Sequence, residues 1–525
     1  MMVNPLQPIA FPAAKPAVAA LSTRVEMNSA LAGDQVHLTG APAPKSAPAP
    51  AAAISAAPAG ASPVPREAVP TVLSMEEASP SDEISTPALG TPAYWTAQAR
   101  HMTDFFSRVS VDTQDGGFYT HIDADGQITN PDEKFLMPTS RQVHAYAAAF
   151  RMTGDLKDLA LAKHGVDFIL QHHVRRAPDG GVYFVQRVDK KGELMEGEAE
   201  KPLLINEQTY GLTGLIGYYR ITRDPQVLEV IQKGHEYLTK HFSDPVSGGF
   251  FDSVDPATGQ PDDTKSYNST IYPATSALLE LAEVTDGELQ QKALAQVKEL
   301  GDLFVEHFPD PQTGFIVENF TSHWQPDWRG WQSQNVAGQN DGEGQLIAVQ
   351  NATIGVGGHN TQGALFLLRA DRLLRQHGMQ SEADSARWTG TARTLVDSML
   401  DRAYDAQNGG WHDVFIRETG QKMWHTNKPF WQQEEGFLAT LAMARLTGEA
   451  RYQEATGRTL EFWHRAFLDK REMVMPDGSV REVSFGDRQT VAKDGTPLSD
   501  PKGAPGKSSY HSVEMATLAQ EIDRW

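Results

Sequence analysis

The chain has 525 residues, 67 Asp and Glu against 46 Lys and Arg, and a formal net charge of −21. That balance argues against a nucleic-acid partner, whose phosphates call for clustered Lys and Arg, and no apolar run approaches the ~18 residues of a membrane span. Cysteine is absent, which excludes a disulfide framework, a thiolate zinc site and a cysteine nucleophile.

Residues 1–91 open with Ala/Pro/Ser repeats such as APAPKSAPAPAAAISAAPAG. With so few large apolar side chains, burial cannot offset the entropy of ordering. A mostly disordered leader is therefore expected, stiffened by proline around Lys45. Its first residues lack a basic segment and are broken by Pro and Lys15, which makes a poor secretory signal. The compartment stays open, with the cytoplasm preferred over export through an atypical leader. Residues 92–525 are expected to form one large unit.

Within that unit, apolar residues recur at helical spacing, as in Val143, Tyr146, Ala147 and Phe150. The pattern predicts helices over about 95–110, from Ser140, and over 157–174, 206–222, 226–242, 267–284, 287–307, 360–377, 383–404, 432–447, 450–468 and 510–524. Six glycine-marked turns separate them in pairs, at Gly117, Gly181, Gly249, Gly314, Gly410 and Gly478. The intervals are 64, 68, 65, 96 and 68 residues, long enough for two helices and a hairpin in each repeat. Six helix pairs can close into a ring, so the expected fold is all-α: an (α/α)6 toroid of twelve helices with short β-hairpin turns. The DADG run at Asp123 reads as a hairpin turn, since its Gly126 is misplaced for a calcium loop.

In such a ring the even-numbered helices line the inside, and their first turns converge on one rim. Those turns carry Arg141 and Gln142, then Asn206, Glu207 and Gln208, then Asn268 and Tyr272. The remaining three bring His359 and Gln362, Gln433 to Glu435, and His511 and Glu514. A helix start offers unpaired N–H groups and positive potential, so the rim reads as a polar pocket. Polar residues also gather at helix starts as caps, and both readings stay open for Asn206, Asn268 and Glu514. The long interval contains SHWQPDWRGWQSQNVAGQNDGEG, with Trp324, Trp328 and Trp331. Tryptophans there suit stacking on sugar faces or, equally, pinning the loop to the barrel.

Four motifs make the chain over 92–525 resemble the N-acylglucosamine 2-epimerase superfamily: TSRQVHAYAAAFRMTGD, GFIVENFTSHWQPDW with GGHNTQGALFLLRA, KPFWQQEEGFLATLAMARLTGEARY, and YHSVEMATLAQEI. The resemblance implies proton abstraction alpha to the carbonyl of a reducing sugar, through an enediolate. It implies 2-epimerase or aldose–ketose isomerase activity, with His359, His511 and Glu435 as catalytic residues. Substrate contacts are implied for Arg141, Asn206, Gln208, Asn268, Tyr272, Trp324, Gln362 and Trp431, with no cofactor and no metal. The expected partner is a small-molecule sugar, and the expected assembly a monomer or homodimer. Three positions depart from the family pattern: Gln362 for Glu, Tyr272 for His and Asn206 for Tyr. Two other readings remain: a glycoside hydrolase or lyase using Glu207 and Glu435, and a sugar-binding protein without turnover.

Overall fold

The computed structural model describes residues 87–525 apart from 312, 329–331, 335–350, 418–420, 423–426 and 476. The leader expected over 1–91 therefore lies, up to residue 86, outside the described residues. Among the described residues twelve helices follow in six pairs: α1 (Pro92–Val109) and α2 (Leu136–Thr153), α3 (Leu156–Phe168) and α4 (Ile205–Thr222), α5 (Pro225–Phe242) and α6 (Tyr267–Pro273, resumed at Leu279–Val284). The remaining pairs are α7 (Gly287–His307) and α8 (Gly357–Gln376), α9 (Glu382–Arg402) and α10 (Phe430–Thr447), and α11 (Ala450–Ala466) and α12 (Tyr510–Ile522). Each even-numbered helix packs against the next, and α12 returns to α2. The ring is closed, as an (α/α)6 toroid.

Patterning explains which helices lie inside. Every residue of α10 from Phe430 to Met443 is buried, as expected of a helix enclosed on all sides. By contrast α5 buries Val227, Val230, Ile231, Gly234, Tyr237 and Leu238 along one stripe and leaves the other face wet. Small residues bring inner neighbours together. A Cβ on Gly214 of α4 would lie 2.5 Å from the Ser140 carbonyl oxygen of α2, and Gly214 N–H instead donates to Ser140 Oγ at 2.8 Å. In α6, Pro273 supplies no N–H, and a π turn over Ala274–Leu278 absorbs the disruption. No helix among the described residues is long and apolar enough to cross a membrane.

Buried lysines tie the glycine turns to alternate inner helices. Lys134 Nζ donates to Asp112 Oδ2 at 2.7 Å and to Gly116 O at 2.6 Å. Lys265 repeats this with Asp244 and Gly248, both at 2.7 Å, and Lys428 with Asp405 and Gly409, both at 2.7 Å. Each lysine stands two residues before its helix, α2, α6 or α10, and none is exposed. Carboxamides do related work elsewhere: Asn360 Oδ1 accepts from Ile316 N–H at 2.9 Å, and Gln433 brackets Trp411 N–H and C=O at 2.6 and 2.8 Å. Many polar residues at the helix starts therefore hold hairpins rather than face the rim.

Three sequence expectations are revised. Helix α2 starts at Leu136 rather than Ser140, which moves Arg141 and Gln142 into its second turn. The sixth glycine turn differs from the others: Gly478 tips a long antiparallel hairpin of Leu468–Val474 and Val480–Asp487 that packs on α1. There Gly486 O lies 2.8 Å from His101 Nε2, closing the seam of the ring. Part of the long insertion joins a sheet, with Asn351–Val356 pairing antiparallel to both Gln332–Gln334 and Val414–Ile416. The DADG run does form a hairpin turn, with Asp123 Oδ1 accepting from the Asp125 and Gln127 N–H groups.

Candidate active site

Helix α8 begins against α10 because Gly358 has no side chain; a Cβ there would lie 2.5 Å from both Gln432 Cγ and Trp431 Cζ3. The next residue, His359, thereby comes within 5.5 Å of the Trp431 ring. Its Nδ1 lies 2.9 Å from Glu318 Oε2, and one face stacks on Tyr267 at 4.1 Å and 16°. A carboxylate on Nδ1 fixes the ring and its tautomer, leaving Nε2 as the nitrogen for chemistry. Helix α12 brings His511 to the same indole, with ring centroids 6.5 Å apart. Its Nδ1 is 4.0 Å from Glu435 Oε1. Trp431 Nε1 is buried and has no hydrogen-bond partner among the described residues, an indole donor that a ligand hydroxyl would satisfy.

A hydrogen-bond line connects these groups. Tyr267 donates its hydroxyl to Gln362 Oε1 at 2.6 Å, and Gln362 Nε2 donates to Glu435 Oε1 at 2.6 Å. Gln362, Glu435 and His511 line one cavity with Tyr210, Tyr510, Thr275, Ser276, Arg369 and Glu514. The π turn of α6 supplies Thr275 and Ser276, so the disruption at Pro273 shapes the cavity wall. Arg141 is fully buried and donates to Gly506 O and to the Tyr210 hydroxyl, each at 2.6 Å. Its guanidinium lies 4.2 Å over the Tyr210 ring, so its charge reaches the cavity through Tyr210.

Not every expected contact converges here. Tyr272 is buried against Tyr210 and Tyr267, with ring centroids 5.6 and 5.9 Å away. Asn206 and Asn268 stand at the starts of α4 and α6, outside the contacts that join the two histidines. Gln208 faces away from a ligand: its carboxamide accepts from Phe184 N–H at 2.8 Å and donates to Phe184 O at 3.0 Å. The Gly181 hairpin is held this way, which replaces the substrate role expected for Gln208. Trp324 is also structural. It is buried, stacks on His307 at 5.0 Å and 4°, and donates Nε1–H to Ser247 O at 2.9 Å. Of its loop partners, Trp328 lies 3.9 Å beneath the Arg417 guanidinium, and Trp331 falls outside the described residues. Trp324→Ala is expected to lower stability by about 3–5 kcal/mol with unchanged sugar affinity, read by urea unfolding beside a binding titration.

Glu318, Tyr267 and Tyr210 escaped the sequence reading. Glu318 lies inside GFIVENFTSHW as one carboxylate without a motif of its own, and Tyr267 and Tyr210 have the residue type and spacing of core aromatics. Glu207 is a buried carboxyl and Asp413 a half-buried one, pushed up by desolvation to about 8 and about 7. Glu434 lies against His511's neighbour. Ser512 Oγ is 2.6 Å from Glu434 Oε1 and 2.5 Å from Asp487 Oδ2, and one hydroxyl proton cannot serve two carboxylates. Burial, reinforced by the Asp487 charge, pushes the Glu434 carboxyl well above the usual range, in keeping with an extra proton on this cluster. A raised folded value stabilises fully below the unfolded carboxyl value and is lost as pH rises through the folded one. Urea midpoints of Glu434→Gln should accordingly fall less steeply with rising pH than those of the wild type; parallel pH dependences would dismiss the shared proton.

The family model for N-acylglucosamine 2-epimerase (GlcNAc 2-epimerase) matches residues 117–475. The chain is similar to a D-mannose isomerase of Marinomonas mediterranea, with 21% identity over 435 residues, 82% of this chain and 97% of that protein. Its fold is similar to the crystal structure of a D-mannose isomerase, with a TM-score of 0.64, 19% identity and coverage of 83% of this chain and 100% of the other. For the cellobiose 2-epimerase of Bacillus thermoamylovorans the TM-score is 0.65, the identity 18% and the coverage 83% and 100%. With more than half of its length matched by that model, and with its helix pairs closed into the same ring, this chain belongs to the N-acylglucosamine 2-epimerase family.

Proposed function

We propose that the protein is a carbohydrate 2-epimerase or aldose–ketose isomerase that moves a proton alpha to the carbonyl of a reducing sugar. The observation that carries this reading is the pair of histidines packed near one indole, Trp431, each with a carboxylate nearby. Imidazole titrates near neutral pH and serves as base or acid by turns. In this reading His359, oriented through Nδ1 by Glu318, and His511, beside Glu435, remove and return the proton through an enediolate. Arg141 polarises the Tyr210 hydroxyl toward the oxygen on which charge develops. The names of the relatives, a mannose isomerase and a cellobiose epimerase, support sugar C2 as the reacting carbon.

Proton NMR in deuterated water with pooled mono- and disaccharides tests it. The expected result is loss of the C2 proton signal of at least one reducing sugar, with a new epimer or ketose. No exchange over a broad panel would overturn the reading. Burial holds Glu207 protonated near neutral pH, which favours a second reading: a hydrolase with Glu207 as general acid and Glu435 as its partner. In the same spectra, release of new reducing ends identifies that activity.

A further inference from the structure

We propose that Gln362 is a positioning residue that holds both histidines in place at once while passing no proton between them; this rests on the two-histidine reading above. Its Oε1 accepts from Tyr267 at 2.6 Å and its Nε2 donates to Glu435 at 2.6 Å. Tyr267 is the ring stacked on His359, and Glu435 Oε1 is the oxygen 4.0 Å from His511 Nδ1. One amide therefore sits at the middle of a line running from Glu318 and His359, through Tyr267, to Glu435 and His511.

Charge sets the direction of that amide. An ionised carboxylate only accepts, so Glu435 requires the NH2 end of Gln362. The carbonyl end then turns to Tyr267, whose hydroxyl must donate. Gln362 is 8% exposed, so water is poorly placed to replace either bond, and losing one leaves a buried group unsatisfied. An amide does not titrate. Gln362 therefore adds no second carboxyl to share a proton with Glu435 and relays no proton along this line.

A carboxyl at position 362 would keep the geometry and change the chemistry. Two carboxyl groups in hydrogen-bond contact share one proton and titrate as a coupled pair. While the proton is shared, the introduced OH donates to Glu435 and its C=O accepts from Tyr267, reproducing the amide. Once that proton leaves, repulsion opens the contact to Glu435, while Tyr267 still donates to the introduced carboxylate.

The experiment compares wild type, Gln362→Glu and Gln362→Met over about pH 5 to 9, across the imidazole range. It reads kcat for C2-proton exchange, together with the side-chain carboxyl titrations by 13C NMR. Gln362→Met is expected to lose about 10- to 100-fold in kcat at every pH, as for a lost hydrogen bond to a charged group. Gln362→Glu should rescue that loss at acid pH. Above the upper titration step of the pair its rate should fall about tenfold per pH unit, a limb set by the carboxyl pair and additional to any the histidines give the wild type. Its carboxyl spectra should show two coupled steps absent from the wild type. Rate profiles of both variants parallel to the wild type, or carboxyls titrating independently, would overturn the proposal. Coupled titration in a protein that turns over no sugar would refute the proposed function and leave the positioning line standing.

Discussion

Replacing His359 or His511 with alanine is expected to cut C2-proton exchange by about 10²- to 10⁴-fold, the usual share of a positioned general base or acid. Each ring has its own carboxylate and comes from its own helix, so neither is placed to do the work of the other. The double variant should lose much less than the product of the single losses, because groups acting as a unit are non-additive. Product identity separates their tasks. If His359 serves one face of the enediolate and His511 the other, a single variant will retain some exchange with solvent while losing the epimer. The measurement is the exchange rate beside the product ratio in the same spectra. Wild-type exchange in both single variants would remove these histidines from the mechanism.

A large expected change in stability comes from the lysine ties. Lys428→Met leaves the Asp405 carboxylate in a site with almost no water contact, where its cation had donated to Asp405 at 2.7 Å and to Gly409 O and Lys493 O at 2.7 and 2.8 Å. Breaking one side of a buried pair costs about 3–5 kcal/mol, because the remaining charge stays uncompensated. Replacing both partners, as in Lys428→Met with Asp405→Leu, should recover much of that loss. Lys428 and three backbone N–H and amide donors hold the Asp405 carboxyl below the usual carboxylate range despite burial. A depressed folded value stabilises above the unfolded value and is lost as pH falls through the folded one. The wild-type advantage over Lys428→Met should therefore be widest near neutral pH and shrink in acid. Urea unfolding at several pH values measures it, and a difference below about 1 kcal/mol would place the pair among ordinary surface bridges.

Legibility differed between the ring and its contents. The repeat of glycine turns and helical stripes is local, and it identified twelve helices and their alternation of inside and outside. Position along an inner helix was harder to read. Gln208 and Gln433 looked like rim ligands because they are polar residues at helix starts; both spend their amides on hairpin backbone. Trp324 looked like a sugar platform because it lies in a Gly/Gln/Asn-rich loop, and it is packed on His307 and Phe320. The lysines two residues before α2, α6 and α10 carry no sequence cue, since each acceptor lies in a turn about twenty residues earlier.

Sequence by itself determined the helix-pair repeat, the family resemblance, and His359, His511, Glu435, Arg141 and Trp431 as the candidates to examine. Those features depend on residue type and spacing along one chain. Only the tertiary structure decided that Glu318 bonds His359, that Arg141 donates to Tyr210, and that Gln362 joins Tyr267 to Glu435. Such partners lie 41 to 95 residues apart. A hydrogen bond is directional and acts within about 3 Å, so its partners are fixed by the closing of the ring rather than by any pattern in the order of residues.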